Sequence, residues 1–207
     1  MAVNIFGPAG SNLSSVVIAR PTDGSEVQAL LRRCVAGGPE AWRDLHRIYY
    51  PTVQRFARGM GVAPEDLSDV CQEVFIQVFR YLNTFKGDAD FKTWLYRICL
   101  SQVSRVRRRR RVVAGLLRAF RLQMAAAAPA GPVALTGGTI ARAEAAIAGL
   151  KPHLREAFVL YEIEGLDGAE IAAVLRCPLG TVRRRLHQAR RQLEDAMGVS
   201  AGSEEAA

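Results

Sequence analysis

Apolar residues recur at steps of three and four positions in two separate parts of this chain, residues 25–111 and 141–197. That spacing places them on one side of an α-helix, whereas a half-buried strand needs them at every second position. Trp42, Leu45 and Tyr49 form one such set. Aromatic residues make up only 7% of the chain, and long runs of valine, isoleucine and threonine are absent, which weighs against an all-β fold. The pattern predicts an all-α protein with two small helical domains.

The two helical parts are flanked and separated by stretches of different composition. Residues 1–24 lack helical periodicity and are predicted to be a flexible N-terminal tail. Residues 112–140 are rich in alanine, glycine and proline and are predicted to be a flexible linker. Residues 198–207 carry small and acidic residues and are predicted to be a C-terminal tail.

Proline and acidic residues mark the starts of several predicted helices. Pro64, followed by two acids, starts a helix to about Leu82, because proline suits the first turn and acids favour the positive end of the helix dipole. Four of its apolar residues are expected to face the core: Val70, Val74, Val78 and Phe79. Pro152 starts a helix in the second domain, and its expected buried side consists of Phe158, Val159 and residues 161–163.

The strongest local signal lies between Leu166 and Arg191. Asp167 and Glu170 have the spacing of a capping box, which predicts a short helix ending at Leu175. A three-residue turn and a longer, arginine-rich helix follow, which is the layout of a helix-turn-helix DNA-binding unit. Five apolar residues are expected to pack the two helices together: Ile171, Ala172, Leu175, Val182 and Leu186.

The polar face of the longer helix carries side chains that suit DNA. Arg183, Arg184, His187 and Gln188 point away from the apolar residues, and arginine pairs with guanine and glutamine with adenine in the major groove. Thr181 lies at the front of this helix, where a phosphate is favoured. The alternative is a basic helix that is merely solvated. Because the apolar core, the turn and the polar face all fit a helix-turn-helix, we favour DNA binding over a merely solvated helix.

Arginine occupies six of the seven positions from Arg105 to Arg111. The net charge of +8 is equally consistent with a basic surface that is merely solvated and with a polyanionic partner, either nucleic acid or an anionic membrane surface. Such a run alone also occurs in targeting tags and disordered tails. The preceding segment contains Phe85, Phe91 and Trp94, and aromatic rings beside positive charge suit unstacked bases. A core role is favoured for Trp94.

Other classes of site are not indicated. The four cysteines are far apart and lie among apolar residues, as reduced core thiols of a cytosolic protein do, and no histidine is spaced with them as a metal ligand. No phosphate-binding loop of a nucleotide hydrolase is present. Residues 1–24 lack the pattern of a secretory signal, and the segment 112–128 is too short and too charged to span a bilayer. We predict no catalytic residue, metal or cofactor, and a cytoplasmic location.

Two segments in combination resemble a known family. Residues 64–98, which begin PEDLSDVCQEVF, resemble conserved region 2 of extracytoplasmic-function sigma factors, and residues 150–193 resemble their region 4. The resemblance extends over about 25–111 and 141–197. It implies a region 2 helical bundle and a region 4 helix-turn-helix that together bind core RNA polymerase, recognise the −10 and −35 promoter elements and promote DNA melting. It also implies an anti-sigma partner and neither enzymatic activity nor a small-molecule substrate.

The resemblance also implies roles for individual residues. Asp69, Gln72 and Glu73, which share one helical face, are expected to bind the clamp helices of the polymerase β′ subunit, while region 4 meets the β flap. The residues expected at the −10 element are Asn83, Thr84, Phe85, Lys86, Phe91, Lys92, Arg97, Arg107 and Arg108. Those expected at the −35 element are Thr181, Arg183, Arg184, His187, Gln188 and Arg190.

The chain departs from the family pattern at several of these positions. After Ile98 the family usually continues with Ala-Arg-Asn and, four residues on, Asp, but here Ser101 and Arg105 stand in place of the Asn and the Asp. Arg184 replaces a small serine, and Gln188 stands where arginine is common. These departures predict an unusual promoter sequence.

The apolar stretch 112–128 is also unusual. Its apolar residues recur at near-helical spacing, and we hypothesise a short helix buried against an anti-sigma factor or within polymerase. A role at the membrane surface is the lesser alternative.

Two other functions are possible from the sequence. A stand-alone helix-turn-helix regulator accounts for 166–191 but leaves the segments 69–75 and 91–98 unexplained. A nuclease would need clustered carboxylates, and although Asp69 and Glu73 could bind Mg²⁺, no third ligand is evident.

Overall fold

The computed structural model describes residues 24–87, 89–124 and 139–197, with the backbone alone for residues 113–124 and 139–141. These ranges are helical and contain no strand, which confirms the predicted all-α class. The α-helices within them are α1 (Gly24–Val35), α2 (Pro39–Gly59), α3 (Pro64–Tyr81), α4 (Phe91–Met124), α5 (Thr139–Gly149), α6 (Pro152–Phe158), α7 (Gly168–Leu175) and α8 (Leu179–Met197). A 3₁₀ turn, Leu82–Thr84, follows α3, and a π-helical segment, Val159–Ile163, follows α6.

Helices α1–α4 form the N-terminal domain. Pro39 and Pro64 lie in the first turns of α2 and α3, where the missing N–H of proline costs nothing. The centre of the core consists of side chains with almost no exposed surface, among them Phe56, Val74 and Leu95. Burial of apolar side chains of this size is the main stabilising contribution to such a bundle.

The inward orientation predicted for Phe79 is wrong. Phe79 is 64% exposed, because each step along a helix turns the side chain by about 100° and Val78 already faces the core. The Phe79 ring lies on Trp42, with 4.9 Å between the ring centroids. It therefore belongs to a surface shared by α2 and α3.

Helix α4 is 34 residues long and extends past the arginine run. The backbone of residues 112–124, which were assigned to the linker, is therefore helical, as we hypothesised for the apolar stretch. We also hypothesised that this stretch is buried. The side chains of residues 113–124 and the whole of residues 125–128 lie outside the described part of the chain.

Helices α5–α8 form the C-terminal domain around the fully buried Leu154, Leu160 and Ile171. The burial predicted for residues 161–163 is wrong for Tyr161, which is 39% exposed, and for Glu162, which is also exposed, while Ile163 is half-buried. The preceding residue, Leu160, occupies the core instead. Arg155 was not predicted to be buried. Its guanidinium donates hydrogen bonds to the carbonyls of Ile147, Ala148 and Leu150 at the end of α5, where helical carbonyls lack partners.

The two domains are in direct contact. Helix α4 packs against α7, and α2 packs against the π-helical segment. At Gly59, a Cβ atom would lie 3.1 Å from both Ile163 Cδ1 and Val159 Cγ1, so the absence of a side chain lets the two domains approach closely.

Candidate nucleic-acid interface

The helix-turn-helix is built as the sequence predicts. The Asp167 side chain accepts hydrogen bonds of 2.8 Å from the backbone N–H groups of Ala169 and Glu170. Glu170 Oε2 accepts one of 2.8 Å from the Asp167 N–H, which completes the capping box. Arg176, at the end of α7, takes the left-handed conformation with φ 51°, and this residue redirects the chain into α8. The Asp167 cap and the Arg176 turn thus fix where α7 begins and ends.

One face of α8 packs into the domain, and the opposite face is exposed to solvent. Val182, Leu186 and Ala189 are buried against the rest of the domain. The predicted base-reading side chains Arg183, Arg184, His187 and Gln188 are all exposed. The structure therefore brings these four predicted residues together on one accessible surface.

The other two residues expected at the −35 element, Thr181 and Arg190, differ in their availability to DNA. Thr181 is half-buried at the start of α8. The guanidinium of Arg190 lies 2.9 Å from Glu162 Oε1 and 5.3 Å from the centre of the Tyr161 ring, and the bond to Glu162 raises the pKa of Arg190. A phosphate would have to compete with Glu162 for Arg190.

The segment predicted for the −10 element is partly exposed. Asn83, Thr84, Lys86 and Lys92 face solvent, and Lys92 N donates to Asp90 at the start of α4. Phe85 is half-buried, with its ring centroid 5.5 Å from that of Trp94 and 5.8 Å from that of Phe91.

The assignment of Phe91 to DNA is corrected by the structure. Phe91 is only 3% exposed and packs edge-on against Tyr49, with 5.0 Å between ring centroids. A buried ring cannot stack on a base without leaving the core. Phe91 is therefore a core residue that supports Phe85 and Trp94.

The arginine run is divided between two sides of α4. On the inward side, Arg107 donates to the Met60 carbonyl, and Arg110 pairs with Glu65 and Asp66. On the outward side, four arginines are exposed and make no ion pair within the described residues: Arg105, Arg108, Arg109 and Arg111. Of the two arginines predicted to contact the −10 element, Arg107 and Arg108, only Arg108 belongs to this outward set. The outward set is accessible to a polyanion.

A second surface lies on α2 and α3. A groove of about 820 Å³ is lined by the aromatic residues Trp42, Tyr50, Phe75 and Phe79 and by the exposed Ile76, with other polar and apolar groups around them. An exposed apolar surface of this kind typically binds another protein. The groove was not foreseen, because its key residue Phe79 was assigned to the core.

One of the three predicted polymerase-binding residues lines this groove, and the other two lie on the same helix. Gln72 lines it, Asp69 is exposed one turn earlier on α3, and Glu73 is half-buried and accepts a hydrogen bond of 2.6 Å from Gln77.

The buried thiols show no reactive environment. Burial raises the pKa of Cys34 to about 11 and also raises the pKa of Cys71 and Cys99. Thiols with raised pKa values are poor nucleophiles and poor metal ligands. Among the described residues, no three or more histidine, cysteine or acidic side chains gather as a metal site, and no described helix is long and apolar enough to cross a membrane.

Comparison with known proteins identifies both domains. The family described as Sigma-70 region 2 matches residues 45–112, and Sigma-70, region 4, matches residues 140–193. The ECF RNA polymerase sigma factor SigE of Mycolicibacterium smegmatis is 36% identical over 157 residues, which make up 75% of this chain and 61% of that protein. The ECF RNA polymerase sigma-E factor of Escherichia coli K12 is 32% identical over 177 residues, covering 81% of this chain and 92% of that protein.

A solved structure agrees with this assignment. The structure of CnrH in complex with the cytosolic domain of CnrY superposes with a TM-score of 0.64 at 26% identity, covering 86% of this chain and 100% of that chain. The similarity therefore includes both domains. With two region matches in the expected order and a relative covered over most of its length, this chain belongs to the ECF RNA polymerase sigma factors, which are transcription initiation factors.

Proposed function

We propose that this protein binds core RNA polymerase, directs it to promoters through the −35 and −10 elements, and promotes DNA melting there. One observation carries the proposal: within a sigma-factor chain, the solvent-facing side of α8 presents Arg183, Arg184, His187 and Gln188 together, on a helix-turn-helix whose cap and core are complete. A recognition helix of this form enters the major groove and reads base edges. The −35 element is its target.

Polymerase binding is assigned to the groove on α2 and α3. Its aromatic floor can bury apolar surface, and Asp69, Gln72 and Glu73 supply polar contacts at its side. We assign the clamp helices of the β′ subunit to this surface and the β flap to the C-terminal domain. CnrH was solved in complex with the cytosolic domain of CnrY. By analogy we assign this chain a further protein partner, which its resemblance to sigma factors implies is an anti-sigma factor.

Contact with the −10 element is assigned to the segment between α3 and α4 and to the start of α4. Unstacking one base costs a few kcal/mol, while stacking on an aromatic ring is worth about 1–3 kcal/mol. Phe85 is a half-buried ring available for this purpose, beside the exposed Lys86 and Lys92. Phosphate contacts nearby are assigned to Arg105 and Arg108 rather than to Arg107, which is bonded to Met60.

All of these activities are binding events. They need no catalytic side chain, metal or cofactor in this chain, and the polymerase performs the chemistry. We assign the protein to the cytoplasm, where core polymerase and promoter DNA are located.

Run-off transcription tests the proposal. Core polymerase is supplied with a promoter library, with and without this protein, and the expected result is new transcripts that depend on it. Arg183→Ala should abolish or redirect these transcripts, while Glu194→Gln, an exposed change at the far end of α8, should leave them unchanged. Promoter binding without any polymerase-dependent transcript would instead support the stand-alone regulator.

A further inference from the structure

An acidic side chain lies beside the DNA-facing side of α8. The sequence of α8 from Leu179 to Gln192 contains no acidic residue, but the π-helical segment of the same domain brings Glu162 against it. Arg190 Nη2 and Nε donate hydrogen bonds to Glu162 Oε1 at 2.9 and 3.3 Å. A carboxylate from 28 positions earlier in the chain therefore pairs with one of the arginines assigned to the −35 element.

Arg190 lies in line with the proposed base-reading side chains. It follows Arg183 by seven positions, which is close to two full turns of helix, so both side chains leave α8 in nearly the same direction. Both residues are exposed. They are about 10 Å apart along the helix axis, and the major groove is about 12 Å wide. When Arg183 reaches the base edges, Arg190 is therefore at the border of the groove, where the phosphates lie.

Glu162 occupies donor groups that a phosphate would use. Arginine binds phosphate most strongly with two parallel N–H donors on one edge of its guanidinium. The edge formed by Nε and Nη2 of Arg190 is already bonded to the Glu162 carboxylate. Because carboxylate and phosphate oxygens accept the same charge-assisted hydrogen bond, Glu162 competes directly with DNA for that edge.

The ion pair is weak enough for DNA to displace it. The side chains of Arg190 and Glu162 are 49% and 35% exposed, and pairs with this much exposure change an equilibrium constant by about fivefold at most. A displaced Glu162 still repels the phosphate, because the screening length at physiological salt is about 8 Å. Glu162 therefore lowers the affinity for DNA and does not abolish the contact.

Tyr161 holds Arg190 independently of the ion pair. The guanidinium carbon of Arg190 lies 5.3 Å from the centre of the Tyr161 ring, which is within the range of a cation–π contact. Glutamine at position 162 would keep an oxygen that accepts from Arg190, but without a charge. Glu162→Gln therefore weakens the competitor while Arg190 keeps both of its neighbours.

We infer that Glu162 sets the strength of the −35 contact by competing with the DNA backbone for Arg190. This inference deepens the proposed function and rests on it, since it requires α8 to bind duplex DNA. Phosphate contacts carry no sequence information, so Glu162 lowers the affinity for promoter and non-promoter duplexes alike. Its effect is to limit binding to non-promoter DNA, which vastly outnumbers promoters in a genome.

Equilibrium binding of the full chain to duplex DNA tests this role. Fluorescence anisotropy measures the affinity for a duplex that the wild-type chain selects from a random library and for a scrambled duplex of the same length. Glu162→Gln should raise both affinities by about three- to fivefold, as expected from loss of an exposed ion pair. Glu144→Gln, which removes one charge from an exposed acid of α5, is the matched control and should leave both affinities unchanged.

A double-mutant cycle shows whether the gain depends on Arg190. In a chain that carries Arg190→Gln, the further change Glu162→Gln should no longer raise the affinity. A gain of the same size without Arg190 would overturn the inference, because it would be an effect of net charge alone. An unchanged or weaker affinity of Glu162→Gln in a wild-type chain that binds DNA would also overturn it, and would leave the proposed function standing. A wild-type chain that selects no duplex would refute the proposed −35 contact itself, and the role of Glu162 with it.

Discussion

Removal of the Asp167 side chain isolates the contribution of the capping box to the DNA-binding unit. Asp167 accepts two backbone hydrogen bonds at the start of α7, and Glu170 returns one to the Asp167 N–H. Asp167→Ala removes the two hydrogen bonds accepted by the Asp167 side chain and leaves the one from the backbone N–H of residue 167 to Glu170. Loss of an N-cap side chain costs about 1 kcal/mol of stability, within a range of about 0.5–2. Because α7 has only eight residues, its first turn is a large part of the helix.

The expected outcome is a loss of about 1–2 kcal/mol in the free energy of unfolding. For a chain of this size, each 1 kcal/mol lowers the melting temperature by about 2–4 °C. Urea and thermal unfolding followed by circular dichroism at 222 nm measure the change. Binding to −35 duplex should weaken in parallel, because α7 positions α8.

Asp167→Asn is the matched control, since asparagine caps as well as aspartate. It should restore most of the stability and the DNA binding. If Asp167→Ala is as stable as the wild type, or if asparagine fails to rescue it, the argument from the capping box is refuted.

Three further outcomes are expected. Arg183→Ala should cost about 1–3 kcal/mol at a single base position, measured by competition among duplexes that differ at one base; equal weakening on every duplex would make Arg183 a phosphate contact. Replacing Arg105 and Arg108 by glutamine should reduce the slope of log affinity against log salt by about two, whereas Arg107→Gln, at a residue bonded to Met60, should leave the slope unchanged between about 50 and 200 mM salt. Glu156→Gln should stabilise the protein at pH 7, because burial raises the pKa of Glu156 and the ionised form is therefore penalised in the folded state. That advantage should disappear as the pH falls below about 4.3, the ordinary value for glutamate, where both folded and unfolded chains hold the proton; a constant advantage across pH would contradict this cause.

The sequence alone was sufficient to predict the helices and the DNA-binding unit. Pro64, Pro152 and the capping box at Asp167 act on backbone groups within four residues of themselves, so their effects do not depend on the rest of the fold. The exposed face of α8 was predictable for the same reason, because the apolar spacing of Val182 and Leu186 determines which side chains point the other way.

The tertiary structure decided which apolar residues are buried and which charges are paired. Phe79 and Tyr161 were misassigned because each follows an aliphatic residue, Val78 or Leu160, and only the packing of neighbouring helices decides which of the two is buried. Phe91 was misassigned because its burial depends on Tyr49 of another helix. The ion pair between Arg55 and Glu164 and the hydrogen bond from Arg155 to the Met60 carbonyl have no signal in the sequence, because the partners lie 109 and 95 positions apart. Local chemistry therefore specified the helices, their caps and the exposed polar face of α8. Burial and electrostatic pairing require distant segments to meet, so the packing of helices within and between the domains determined them.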